Sequence, residues 1–306
     1  MSAIRSTAKA AVTELRTAID MVRWAATSMA AGGVYCGHGF AEPLDEALHA
    51  VMHTLRLPTN SPDALLGATL LAHERRSIAD LIIRRVEQRA PMAYLTGTAR
   101  FAGLNFAVNN NVLIPRSPIA ELIEQRFSPW VEESTVASIL ELGTGSGCIA
   151  IACAYAFPDA SVMATDISPA ALVIARRNVT DHELGDRVTL VEADVYGGLE
   201  GRFDLIVSNP PYVDESTLDD VPEEYAHEPR LGLAAGADGM DIVRRIITGA
   251  ARHLSEHGAL VVEVGASQVF AEHAFAHLPL SWIDFERGGD GVFVLERDAL
   301  VADGIE

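Results

Sequence analysis

Cysteine is scarce: the 306 residues hold three, Cys36, Cys148 and Cys153. So small and odd a number builds no disulfide framework, which excludes the stapled secreted scaffolds and fits a reducing compartment, so a cytoplasmic protein is expected. Long apolar runs are also missing. The densest, residues 148–157, falls short of the roughly 20 residues a membrane-spanning helix needs and reads as a core helix, so no membrane partner is expected. The N-terminal stretch carries Arg5 and Lys9 but no continuous apolar h-region and no cleavage site, so no secretory signal is expected. Positive charge is short as well: 23 Arg and Lys stand against 42 Asp and Glu, net −19. The deficit is local. Residues 1–130 hold 13 basic and 11 acidic side chains, net +2, and residues 131–306 hold 10 and 31, net −21. An acidic half without a basic stripe is a poor partner for phosphate backbones, so no direct nucleic-acid specificity is expected. It suits a basic protein partner, although solubility alone asks for such charge too. A metal constellation is missing. His253 and His257 stand four apart, but Leu-Ser-Glu lies between them and Gly258 follows. They read as last-turn histidines that satisfy the helix dipole, with no metal bound.

Apolar residues make up 49% of the chain, enough for a real core, and the length fits two domains. The periodicity predicts a helix over residues 8–30, with Val12, Leu15, Ile19 and Val22 on one face, broken at Gly32-Gly33. The glycine-rich stretch Tyr35-Cys36-Gly37-His38-Gly39-Phe40 follows. Its His38 is open between a functional role and that of a solvated or capping residue. Further helices are expected over 45–55, from Asp63 through Leu65, Leu66 and Leu70, and over 77–88, with a loop over 58–62. Residues 1–98 thus form a helical unit without reaction chemistry, expected to recognise a partner or substrate. Residues 99–130 are expected to hold a β-hairpin and a linker helix. Leu104 to Val108 and Val112 to Ile114 flank Asn109-Asn110-Asn111, and Asn tolerates the left-handed backbone a hairpin turn needs. Arg116 stands between Pro115 and Ser117-Pro118, and Glu121 falls in the early turn of the next helix. The two either line a substrate pocket or position the linker.

From residue 136 strands and helices alternate regularly, as in an open parallel sheet. The first strand runs into Glu141-Leu142-Gly143-Thr144-Gly145-Ser146-Gly147-Cys148, and a helix of small apolar residues follows. Glycines in such a turn let a ligand approach the backbone, where helix-terminal N–H groups face it. A dinucleotide fingerprint needs glycine at 148, where this chain has Cys148, itself expected to be a small core residue. The second strand ends in Asp166-Ile167, before Ser168-Pro169 caps the next helix. An acid there can accept both ribose hydroxyls of an adenosine ligand. The third strand ends near Asp194-Val195. Asp194 either accepts the amino group of an adenine or is an ordinary turn aspartate, and Val195 is placed to pack on the ring. The fourth strand, Phe203-Asp204-Leu205-Ile206-Val207-Ser208, stops at Asn209-Pro210-Pro211-Tyr212. Neither proline donates an N–H, and each restricts the residue before it, so the loop is stiff. The Asn209 side-chain oxygen and the Pro210 carbonyl can each accept from a planar NH2 group, favouring positive charge on that nitrogen as it attacks, and Tyr212 can pack on its flat face. Residues 213–233, with Glu223, Glu224, His227, Glu228 and Arg230, read as a polar lid or substrate loop. A helix over 240–254, a strand over 259–264 and an antiparallel pair over 281–285 and 292–295 complete the pattern.

Residues 143–147, Asp166 and Asn209 to Tyr212 resemble class I S-adenosylmethionine-dependent methyltransferases that modify planar amino or amide nitrogens. Three further stretches narrow the resemblance: residues 111–122 (Asn-Val-Leu-Ile-Pro-Arg-Ser-Pro-Ile-Ala-Glu-Leu), residues 35–39 with 42–47, and residues 285–293. Together they look like the bacterial ribosomal protein L-three glutamine N5-methyltransferases. The sister family that modifies peptide-chain release factors has proline, an acid, Thr and Glu after the Pro-Arg, where this chain has Ser117-Pro118-Ile119-Ala120-Glu121. The resemblance implies an α/β fold with a doubly wound seven-stranded sheet, its last strand antiparallel, over residues 131–300, beside the smaller helical domain. It implies S-adenosylmethionine as cofactor, held by Glu141, Gly143, Thr144, Gly145, Ser146, Gly147, Asp166, Ile167, Asp194, Val195 and Asn209. Ribosomal protein L-three is the implied partner, met either as free protein or during ribosome assembly. Its glutamine amide would be bound by Asn209, Pro210, Pro211, Tyr212, Arg116 and Glu121, with Asn209, Pro210 and Tyr212 doing the chemistry.

Overall fold

The computed structural model describes residues 3–58, 61–214, 217 and 221–305. Residues 59 and 60 of the expected loop at 58–62, and residues 215, 216 and 218–220 of the expected lid, lie outside the described residues. The chain forms two compact units: Met1–Thr98 with Pro222–His227, and Ala99–Val221 with Glu228–Glu306.

The first unit is helical: α1 (Ala3–Glu14), α2 (Ala18–Ala31), α3 (Pro43–Leu55), α4 (Ala72–Gln88) and α5 (Met92–Thr96). The single helix expected over 8–30 is two. Thr17 ends the first by capping the second: its Oγ accepts the Asp20 N–H at 3.3 Å, and the Asp20 carboxylate accepts the Thr17 N–H at 2.9 Å. That reciprocal pair satisfies two donors a helix start leaves open, so it outweighs the unbroken apolar stripe. The helix expected from Asp63 is one 3₁₀ stretch, Asp63–Gly67, and α4 starts five residues before Ser77. Met21, Met29, Val51, Ile78 and Ile82 fill the core.

His38 is buried, not solvated, with its ring 4.6 Å from that of Tyr225. Tyr225 belongs to the short return segment Pro222–His227. A buried ionic network seats that segment. Arg85 pairs with Glu46 and, at 3.2 Å, with Glu224, while Arg89 reaches Glu224 at 2.9 Å. The Glu224 carboxylate also accepts the Tyr35 N–H at 3.0 Å.

In the second unit the hairpin falls one turn earlier than expected. It joins β1 (Thr98–Phe101) to β2 (Leu104–Ala107). Ala102 and Gly103 both have positive φ, +46° and +77°, the backbone a two-residue hairpin turn demands. The three asparagines make a plain turn instead, with Val112 donating to the Asn109 carbonyl at 3.1 Å. After α6 (Ile119–Glu124) come β3 (Ser138–Leu142), α7 (Cys148–Ala156), β4 (Ser161–Asp166), α8 (Pro169–Asp181), β5 (Val188–Glu192), β6 (Phe203–Ser208), α9 (Asp241–His253), β7 (Leu254–Glu263), α10 (Gln268–Ala274), β8 (Ser281–Trp282), β9 (Val292–Glu296) and α11 (Arg297–Ala302). The strands make one seven-stranded sheet in the order β5-β4-β3-β6-β7-β9-β8. Pairings from β5 to β7 are parallel, and β9 runs antiparallel to both its neighbours.

Both faces of the sheet are covered, which is why its strands read as apolar runs. Ile139, Leu205, Val207, Val261 and Val294 pack on one face. Leu140, Leu142, Ile206, Leu260 and Phe293 pack on the other. The chain leaves β3 toward β4 on one side and returns through β6 on the other. The crevice outside the carboxyl ends of β3 and β6 is therefore the topological switch point, where open sheets bind ligands. Among the described residues no helix is long and apolar enough to cross a membrane.

Candidate active site

At that crevice lies a pocket of about 290 Å³. The loop after β3 forms its floor. Gly143 and Gly145 have φ of +73° and +55°, and a Cβ built on either would meet nothing within 4 Å. The loop is thus held in a conformation that bares its backbone to the cavity. Asn178, an amide on the otherwise apolar face of α8, braces the loop from behind. Its Nδ2 donates to the Ser146 carbonyl at 2.8 Å and to the Ala107 carbonyl at 3.0 Å, and its Oδ1 accepts the Ala107 N–H at 2.7 Å. A polar residue at a buried helical position was the sequence signal for it.

The two acids at the strand ends differ. Asp166 accepts the Gly145 N–H with one oxygen and the Ser168 N–H with the other, both at 2.8 Å. Burial raises its carboxyl above the ordinary range, and those two N–H groups hold the rise back. Each oxygen keeps a second lone pair for a ligand hydroxyl. Glu141 is buried and accepts the Thr144 hydroxyl at 2.5 Å and the Ala150 N–H at 2.9 Å. Burial pushes it up to about 8, with the nearby Asp166 charge adding to the rise and the two hydrogen bonds opposing it.

Because the Glu141 carboxyl is raised on folding, its contribution to stability is fully present below the unfolded value, near 4.5, and is lost as pH climbs through about 8. The cofactor-free protein should accordingly lose thermal stability between these pH values by more than Glu141→Gln does. Parallel melting curves for the two proteins would refute this.

Asp194, Val195 and Ile167 line the pocket wall. The Asp194 carboxylate is already paired with Arg245 of α9 at 2.8 Å, a partner the sequence did not suggest. Val195 has a φ of +54°, an outlier for a β-branched residue that costs about 1–3 kcal/mol. The next residue holds it there: the Tyr196 ring stacks on His253 at 4.6 Å, and its hydroxyl donates to the Ile246 carbonyl at 3.1 Å.

Asn209, Pro210 and Pro211 line the same pocket as the glycine loop and Asp166. Asn209 Oδ1 is buried and has no hydrogen-bond partner among the described residues. A buried unpaired carbonyl oxygen is costly, of order 1–3 kcal/mol, and marks where a donor belongs. Tyr212 is not among the lining residues; its hydroxyl donates to Glu263 at 3.1 Å. Arg116 is a lining residue, held bidentately by the buried Glu228 at 2.6 and 2.7 Å. Glu228 also accepts the Ile114 N–H at 3.0 Å. Glu121 stands away from the pocket walls. Its carboxylate accepts the backbone N–H groups of Glu286 and Arg287 at 3.0 and 3.2 Å, and they are the main reason its carboxyl is lowered. Cys148 is a buried wall residue whose thiol burial pushes up to about 12, so it packs rather than reacts.

The methyltransferase small domain family matches residues 127–228. Two curated relatives cover nearly the whole chain, and both are ribosomal protein uL3 glutamine methyltransferases. The protein from Francisella tularensis subsp. tularensis (strain SCHU S4 / Schu 4) is 44% identical over 292 residues, 95% of this chain and 93% of its own. The protein from Bordetella pertussis (strain Tohama I) is 45% identical over 289 residues, 94% of this chain and 97% of its own. Among solved structures, the hMettl16 catalytic domain in complex with the MAT2A 3′UTR hairpin 6 superposes with a TM-score of 0.50. At 17% identity, over 75% of this chain and 84% of that one, it bears on the fold alone.

Proposed function

The chain belongs to the family of ribosomal protein uL3 glutamine methyltransferases, and from that premise we propose that it methylates the side-chain amide nitrogen of a glutamine in uL3 through the pocket at the ends of β3 and β6. The observation that carries this reading is the unpaired, buried Oδ1 of Asn209, which shares a cavity with the bared glycine loop. The residues present fit S-adenosylmethionine: open backbone at Gly143 and Gly145, acceptor capacity at Asp166, and apolar wall at Ile167 and Val195. That cofactor is the methyl donor, and when bound it supplies an electrophilic methyl group on a sulfonium.

The chain supplies position and electrostatics. The N–H groups of Thr144, Gly145 and Gly147 are spent on Thr165, Asp166 and Thr144, so those of Gly143, Ser146 and the α7 terminus would hold the carboxylate end of the cofactor. Asp166 would accept the ribose hydroxyls with its remaining lone pairs, and Val195 and Asp194 would meet the base. An amide nitrogen is a weak nucleophile because its lone pair is delocalised into the carbonyl. Asn209 Oδ1 and the Pro210 carbonyl accept its two N–H groups, fix its plane, and favour the positive charge that grows on nitrogen during attack. Pro211 and Tyr212 keep that loop stiff. Arg116, neutralised by Glu228, shapes the wall on which the glutamine backbone rests. Glu121 acts one step back, by tying α6 to residues 286 and 287. The helical first unit recognises the protein substrate, and the acidic second unit favours a basic one.

The test is mass spectrometry of purified uL3 and of a peptide-chain release factor, each incubated with this protein and S-adenosylmethionine. A gain of one methylene on a glutamine of uL3 alone is expected. Methylation of the release factor alone would reassign the substrate while leaving the chemistry intact. No gain on either would remove the reading.

A further inference from the structure

Glu263 is a carboxylate where the pattern of β7 asks for an apolar residue. It follows Leu260, Val261 and Val262, all fully buried, and is itself 4% exposed. The register places it beside the motif loop: Ser208 pairs with Val262, so Glu263 is level with Asn209. Burying a carboxyl there is costly unless its oxygens are satisfied. Both are satisfied by side chains of the pocket loops. One accepts the Ser117 hydroxyl, and the other accepts the Tyr212 hydroxyl at 3.1 Å. The Ser117 proton has its direction set, because Ser117 Oγ itself accepts the Ile119 N–H at 3.1 Å.

Tyr212 is held by two further contacts beside this carboxyl. Its carbonyl accepts the Ser267 hydroxyl at 2.7 Å. Its ring lies against Gly265, where a Cβ would come within 2.9 Å of the ring. Ser117 is a lining residue one position from Arg116, and Tyr212 is two residues from Pro210. A single buried group therefore joins the wall at Arg116 to the loop that carries Asn209.

We infer that Glu263 is a positioning residue for methyl transfer: by binding Ser117 and Tyr212 at once it sets the spacing between the Arg116 wall and the Asn209-Pro210 amide acceptors. This rests on the functional reading above. Glu263 touches neither cofactor nor substrate, and its effect passes through the two hydroxyls. A misplacement of about 1 Å at reacting groups can cost 10²-fold in rate, so the effect belongs in kcat.

The experiment is steady-state kinetics of the full chain on uL3, with a separate titration of S-adenosylmethionine binding and a melting curve for each variant. Glu263→Ala is expected to lower kcat about 10²-fold. Tyr212→Phe and Ser117→Ala, which remove only the hydroxyls, should each lower kcat about tenfold, and together by far less than the product. KM for uL3 and cofactor affinity should stay within about threefold of wild type. Glu263→Gln should recover most of the rate, since its amide can accept from one hydroxyl and donate to the other. A packing role alone would shift melting without this split or this recovery. Wild-type turnover with unchanged kcat in both hydroxyl variants would overturn the inference and leave the functional reading standing. Absence of wild-type turnover on uL3 would remove both.

Discussion

Asn209→Ala should lower turnover by about two to three orders of magnitude and leave the affinity for S-adenosylmethionine near wild type, because it deletes an acceptor that works only once the amide is in place. Asn209 Oδ1 has no partner among the described residues, so its removal should cost the fold little and even relieve a buried unpaired oxygen. The loop itself does not depend on it, since Pro210 and Pro211 fix the backbone. Asp166→Ala should show the opposite split. Asp166 ties the Gly145 and Ser168 N–H groups and offers its remaining lone pairs to the cofactor, so affinity for S-adenosylmethionine should fall. Isothermal titration read beside single-turnover rates separates the two. A weakened cofactor affinity in Asn209→Ala, or turnover within a few-fold of wild type, would take Asn209 out of the proposed mechanism.

What the sequence made legible was local. Punctuation at strand ends is a short-range signal: Gly143 to Gly147, Asp166 and Asn209 each follow a short apolar run, and the sheet brings them to one edge because parallel strands place all their carboxyl ends together. The helix boundary that went wrong at Thr17 turned on a reciprocal capping pair that an apolar stripe does not report, and the stretch from Asp63 is a 3₁₀ turn with no side-chain cap to start it. The hairpin went wrong because three asparagines outshone one Gly103. The groups that could not be read were those whose meaning is a partner far away in the chain. Glu228 lies 112 residues from the Arg116 it clamps, and Glu263 lies 146 from Ser117. Arg245 and Asp194 meet only because α9 packs on the same face of the sheet. No periodicity couples such pairs; the chain must be folded before they exist.

The second large effect is expected in stability, at Arg85. Its guanidinium is 1% exposed, and the carboxylates it meets, on Glu46 and Glu224, are 1% and 0% exposed. It also donates to the Tyr35 carbonyl at 2.7 Å. Burial works to raise the Glu224 carboxyl, but the Tyr35 N–H and the Arg89 and Arg85 guanidiniums outweigh it and hold it below its ordinary value. Arg85→Ala leaves Glu46 buried without its cation, and a buried charge that loses its partner costs about 3–5 kcal/mol. The loss should appear in denaturant unfolding of the first unit. Trp24 lies in that unit's core and reports it once the other two tryptophans, Trp130 and Trp282, are replaced by Phe. The double variant Arg85→Met, Glu46→Met removes both members of the pair, while Glu224 keeps Arg89 and the Tyr35 N–H. It should therefore be more stable than Arg85→Ala despite carrying one more change. By contrast Arg5, exposed and paired with Glu87 at 2.6 Å, should tolerate alanine with little measurable loss, since water screens such a pair. A double variant no more stable than Arg85→Ala would mean that the network contributes packing rather than charge compensation. An Arg85→Ala loss as small as that of Arg5→Ala would mean that water reaches Glu46 and Glu224 once the guanidinium is gone.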